Sequence, residues 1–246
     1  MPAIEAYRAA LTDTLTRAFE TNDAALREGA HLLADANLTG HNIFAFGCSH
    51  AMLPMLELYY RTGGMATINP VRAPGLHLDI DPATMTSQME RIPEYGKIIV
   101  DAQPLGEGDV MIVHSVSGRN TVPIDVALHA RKKGAKVIVL TSMEMTASVT
   151  SRHPDGLKLC DVADVLLDNC GCVGDAAITI EGVPERVAPT STSVACALLN
   201  AMMAEAVEMI VKAGGIPPVF VSANLDGGDE HNRAMMDTYG EHIFYM

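Results

Sequence analysis

The chain has 246 residues, 48% of them hydrophobic, enough to bury a sizeable core and too apolar a mix for a disordered polypeptide. Lys and Arg number 17 against 30 Asp and Glu, a formal net charge of -13, which argues against sequence-independent nucleic-acid binding and against adhesion to anionic membranes. Trp is absent and aromatic residues are 4%, so stacking platforms for bases or polysaccharides are not expected.

Along residues 2–38, Ile4, Tyr7, Leu11, Leu15, Ala18 and Phe19 recur at helical intervals, followed by Ala25, Leu32 and Leu33. This predicts one or two helices ending near "LTG" (38–40). The opening "MPAIEAYRAALTDTL" is amphipathic and charged, unlike a secretory leader, and no long uncharged apolar run marks a membrane span. The pattern then alternates. Strands are expected at "NIFAF" (42–46), "MATIN" (65–69), "DVMIVHS" (109–115), "KVIVLTS" (136–142) and "DVLLDN" (164–169). Helices are expected over 51–61, 121–133 and 191–214. A Pro-rich loop (70–96) and a polar tail (219–246) complete the chain. Apolar strands alternating with helices predict a parallel sheet covered on both faces. The reading is a helical extension, residues 1–40, on one α/β domain, residues 41–246. Cys48, Cys160, Cys170, Cys172 and Cys196 fit neither a zinc nor a redox spacing and read as free thiols of a cytoplasmic protein.

In such a sheet, ligands sit outside the carboxyl ends of the strands. There the sequence places "GCSHA" (47–51), "SVSGRNT" (115–121) and "TS" (141–142), while "PTSTS" (189–193) opens the long helix. Helix N-termini leave backbone N–H groups unpaired and partly positive; Gly admits a ligand to the backbone, and Arg119 adds a bidentate fork. Each such turn is equally a capped helix start. Several at one sheet edge favour an anion site built from Ser49, Ser115, Ser117, Gly118, Arg119, Asn120, Thr121 and Ser142. The G-x-G-x-x-G turn of a dinucleotide fold and the Gly-Lys-Ser/Thr of a P-loop are both missing.

"SVSGRNT" resembles the S-x-S-G-x-T/S loop of SIS (sugar isomerase) domains, which bind phosphosugars. "YYRTGG", "SGRNTVPIDVALHA", "SRHPDGLKLCDVADVLLDNCGCVGDA", "VAPTSTS" and "VFVSANLDGGDEHN" are similar to a bacterial branch of that family, related to N-acetylmuramic acid 6-phosphate etherases and phosphoheptose isomerases. The resemblance covers nearly everything after residue 40. It implies a three-layer αβα sandwich with a five-stranded parallel sheet, a homodimer with sites near the subunit interface, and no cofactor. By carry-over, Ser115, Ser117, Gly118 and Asn120 or Thr121 would hold a phosphate, and Ser191 and Thr192 would close it from the late helix. Related domains often open with G-x-G-x-S. Here Ser49 takes the third position and Ala51 the fifth, so either Ser49 substitutes or the first loop binds less.

Members of that family isomerise sugars, eliminate a lactyl group, or only sense a ligand. The first two need a carboxylate or His near the reacting carbons. Glu57, about two turns beyond Ser49, and His50 are the candidates; a solvated helix Glu and a surface His are the competing readings. His153 and His231 are loop residues that could close over a ligand or simply face water. "HLDID" (77–81) suits no metal spacing, so no metal is expected. The expected function is binding of a phosphorylated sugar with isomerisation or elimination by acid/base chemistry; the alternative is a phosphosugar sensor without chemistry.

Overall fold

A computed structural model describes the whole chain, Met1–Met246. Five strands, β1 (Ile43–Gly47), β2 (Ile68–Pro70), β3 (Val110–His114), β4 (Lys136–Thr141) and β5 (Val165–Asp168), form one sheet in the order β2-β1-β3-β4-β5. Every ladder is parallel, and the register sets Gly47 beside His114. Both faces are covered, so the strands read as unbroken apolar runs with no alternation. Val110 and Ile112 turn to one core; Met111 and Val113 turn to the other.

The first core lies under α1 (Ala3–Thr39) and under two later helices, α2 (Leu53–Leu58) and one opening at Ser191. Residues 2–38 therefore fold as one helix of 37 residues, stopped where Gly40 takes φ 76 and returns its N–H to Ala36. Ala18, Leu26, Ala30 and Leu33 share this core with the strands. Gly29 lets a Met side chain seat directly on α1: the Met202 sulfur stands where a Cβ would be. The expected helix over 51–61 is shorter, a 3₁₀ turn at Ser49–Met52 leading into α2.

The Pro-rich stretch holds two unforeseen helices, α3 (Met85–Met89) and α4 (Tyr95–Asp101). α4 packs with α5 (Thr121–Lys132) over the second core, which contains Phe44, Phe46, Val122 and Val139. α6 (Met143–Ser148) follows β4. After β5 comes a small antiparallel hairpin, β6 (Ala176–Ile178) and β7 (Val187–Pro189), also absent from the sequence reading. It delivers the chain to α7 (Ser191–Lys212), which lies along α1. α7 is long and apolar enough to cross a bilayer, but its buried face, with Val194, Leu198 and Met202, completes the first core. The polar tail is not featureless: α8 (Gly228–Tyr239) closes the fold beside Phe220 and Ile243.

Candidate functional site

β1 and β3 are neighbours whose connections leave in opposite directions, to β2 and to β4. A crevice therefore opens at their carboxyl ends, between the turn after Gly47 and the loop Ser115–Asn120. In that loop the carbonyls of residues 116–119 are taken by donors from outside. Val116 accepts from the Ser142 amide (3.0 Å) and the Thr141 hydroxyl (3.2 Å), and Ser117 from the Thr146 hydroxyl (3.2 Å). Gly118 accepts from the Leu159 amide and Arg119 from the Arg152 amide, both at 2.8 Å. The amides of Val116, Ser117, Gly118, Arg119 and Asn120 have no acceptor within the chain. A backbone whose oxygens are tied outward and whose N–H groups are free, at the N-terminus of α5, has the donor arrangement that an anion nest requires. Gly118 makes the turn at φ 57; a Cβ there would stand 3.1 Å from the Thr141 hydroxyl and 3.2 Å from that of Thr146.

The cleft has two lobes joined at His50, Ala51, Val116 and Asp175. The nest lobe encloses about 270 Å³ and is lined by Ser49, Glu90, Ser115, Ser117 and Asn120. The other, of about 280 Å³, reaches His114, Ser191 and Thr192. Ser49, Ser115, Ser117, Asn120 and His50 are thus brought together as the sequence reading expected. His50 is exposed and faces both lobes.

Other expected residues are placed elsewhere. Ser142 is fully buried; its Oγ accepts from the Met145 amide (3.1 Å) and donates to the Gly171 carbonyl (2.6 Å), so it caps α6. Thr121 is buried and donates to the Arg152 carbonyl at 3.2 Å. Arg119 donates to the Thr150 hydroxyl at 3.3 Å and is not among the cleft-lining residues. Glu57 pairs with Arg61 one turn along the chain and lines neither lobe. At the start of α7 an internal carboxylate fills the expected phosphate position. Asp175 accepts from the Thr190 amide (3.3 Å), the Ser191 amide (3.0 Å) and the Ser191 hydroxyl (2.5 Å).

Two carboxylates line the nest lobe, Asp175 and Glu90, and neither was among the expected site residues. Glu90 follows α3 and its backbone carbonyl accepts from the Val122 amide at 3.0 Å, while Asn120 donates its side-chain N–H to Oε2 at 2.5 Å. Burial pushes its carboxyl above the usual range; the Asn120 bond and the Arg91 and Arg152 charges oppose this without cancelling it. Arg152 also donates to the Asn120 Oδ1 at 2.8 Å. Its guanidinium is lowered by partial desolvation and by the Arg119 and Arg91 charges, a local positive field on an acidic chain. The only sequence signal for Glu90 was the spacing of Met85 and Met89, one helical turn inside a stretch dominated by Pro.

A five-stranded parallel sheet with a Ser-rich loop at its switch point is the architecture of a known class, and the chain belongs to it: the model of the SIS domain family matches residues 6–142. Within that class the chain is 40% identical over all 246 residues to a UPF0309 protein of Shouchella clausii, with 100% of both chains covered. A UPF0309 protein of Oceanobacillus iheyensis is 39% identical over the same full length. One of Listeria innocua is 44% identical over 201 residues, 82% of this chain and 81% of its own. Two solved structures share the fold. The phosphoheptose isomerase of Neisseria gonorrhoeae is 16% identical, with TM-score 0.53, covering 83% of this chain and 97% of its own. That of Francisella tularensis is 13% identical, with TM-score 0.54, covering 85% and 100%.

Proposed function

We propose that the chain binds a phosphorylated sugar with its phosphate on the amides of Val116–Asn120, and moves a proton on the bound sugar with Glu90. The observation that carries this reading is the nest: five free N–H groups in a loop whose carbonyls are otherwise engaged. Membership of the SIS family and the shared fold of two phosphoheptose isomerases support it. The sugar is held by the lining hydroxyls of Ser49, Ser115 and Ser117. Asn120 belongs both to the nest and to the Glu90 hydrogen bond, so it places the carboxylate next to the phosphate anchor. With Oε2 held, Oε1 is the oxygen left to act. A carboxyl pushed upward by burial is a stronger base than a solvated one, suited to removing a proton from a carbon beside a carbonyl and returning it to the neighbour. The same base serves an elimination, in which the proton leaves as a substituent departs. His50, which lines both lobes, would protonate a leaving or ring oxygen. The reading includes a homodimer in the cytoplasm, checked by light scattering and by fractionation.

The test is a thermal-shift series with sugars paired to their phosphates, followed by mass and NMR analysis for conversion. A ligand at about 100 times its Kd adds about 2.7 kcal/mol of stability, a Tm rise of about 5–10 °C for a chain of this size. Stabilisation confined to the phosphorylated member is expected, and Ser117→Ala should reduce it. Equal shifts with both members would sink the nest assignment. Binding without conversion would leave a sensor.

A further inference from the structure

The second lobe shares His50, Val116 and Asp175 with the first and differs from it by His114 and the start of α7. His114 ends β3, is fully buried, and lines this lobe. Its Nδ1 lies 2.9 Å from the Ala51 carbonyl, so Nδ1 carries the proton and donates it. Nε2 is then a bare lone pair, and it has no hydrogen-bond partner. Burial lowers the imidazole pKa to about 4, against smaller upward pulls from the Ala51 bond and then Asp175, so the ring stays neutral and Nε2 stays an acceptor at neutral pH. Beside it stands the Asp175 carboxylate, pinned by three donors from the start of α7. Leaving a buried acceptor unpartnered is unfavourable, and a fitting ligand donor offsets that cost.

We propose that this lobe is the specificity subsite for the end of the ligand remote from the phosphate, and that it takes a hydrogen-bond donor, hydroxyl or ammonium, while rejecting a second anion. The inference rests on the phosphate being in the nest and adds what must lie at the other end. The α7 N-terminus would invite a phosphate or carboxylate in most contexts, but here its first donors are spent on Asp175. An incoming anion would meet the Asp175 charge and the His114 lone pair, with His50, Thr192 and the Val116 amide to answer them. The substrate class is therefore a sugar monophosphate with a hydroxyl- or amine-bearing far end, and sugar-acid phosphates and bisphosphates are excluded.

Isothermal titration with inorganic phosphate, glucitol 6-phosphate, 6-phosphogluconate and glucitol 1,6-bisphosphate tests this. Like charges placed together across an interface cost several kcal/mol, so glucitol 6-phosphate should bind about tenfold or more tightly than the two doubly anionic probes. Asp175→Asn should shrink that gap. His114→Phe, which removes the lone pair, should weaken glucitol 6-phosphate while sparing inorganic phosphate. If the His114 variant does not fold, the Asp175→Asn comparison decides alone. Equal affinity of wild-type protein for all three sugar probes would overturn the subsite and leave the nest standing. No binding of any phosphate probe would overturn the nest reading and this one with it.

Discussion

Replacing Glu90 by Gln removes a charge and a base without removing the shape. Asn120 can still donate to the Gln carbonyl, and the backbone bond from Val122 to residue 90 is unaffected. A positioned general base contributes about 10²–10⁴ in rate, which is about 3 to 5 kcal/mol of barrier. On a substrate found by the paired-ligand screen, Glu90→Gln should lower kcat by that factor with little change in phosphosugar affinity. The stability effect has a definite sign. The folded-state pKa of Glu90 is raised, so the folded protein holds the proton more tightly than the unfolded chain. Its contribution is favourable below the unfolded value, near 4.5, and is lost as pH rises through the folded one. Glu90→Gln should therefore be more stable than wild type at pH 7, and the advantage should vanish in acid. The activity of the wild type should fall on the acid side as Glu90 protonates. Asn120→Ala, by deleting the bond that favours the ionised form, should move that acid limb to higher pH. Stability scans and rate profiles on the three proteins check each point. Undiminished turnover in Glu90→Gln, or a loss of stability at pH 7, would refute the assignment.

Gly118→Ala should destabilise by about 1–2 kcal/mol, because a side chain at φ 57 is strained, and Tm should fall by about 2–8 °C. Phosphosugar binding should weaken alongside, read by titration of the folded fraction. Asp125 is buried against His153 at 3.0 Å and also accepts the Glu94 amide at 3.0 Å, so it ties the loops flanking α5. Asp125→Ala should cost about 3–5 kcal/mol, as breaking buried pairs does, with a denaturant midpoint as the measure. Glu57→Gln should leave turnover unchanged and stability within about 1 kcal/mol, since its partner Arg61 is a half-exposed residue just beyond the end of α2. A large kinetic effect there would return Glu57 to the catalytic set.

What the sequence revealed follows from how each feature is encoded. β3 and β4 are legible because burial on both faces makes their apolar runs continuous, and the long stripe through Ala18, Leu26 and Leu33 makes α1 legible. α3, with five residues, offers barely one period, and β6 and β7, with three each, offer less than two alternations. The turn after β3 was legible for a chemical reason: free amides at a strand-to-helix turn call for Ser, Gly and Asn, and those residues cluster in 115–120. Glu90 was not, because it reaches the nest through a helix that Pro-rich flanks conceal.

The start of α7 shows where such reading stops. "PTSTS" correctly announces a helix N-terminus in need of an acceptor. It cannot say whether that acceptor is a ligand or a side chain, because the choice is made by another segment. Here Asp175, held at φ 65 on the loop before β6, arrives 16 residues upstream of Ser191 and takes its amide and hydroxyl. Two turns with the same donor chemistry thus acquire opposite roles. The 116–120 loop leaves its donors without an internal acceptor, which is why the proposed reading puts the phosphate there. The α7 start, with its anion built in, presents acceptors, and the two lobes together define a ligand with unlike ends.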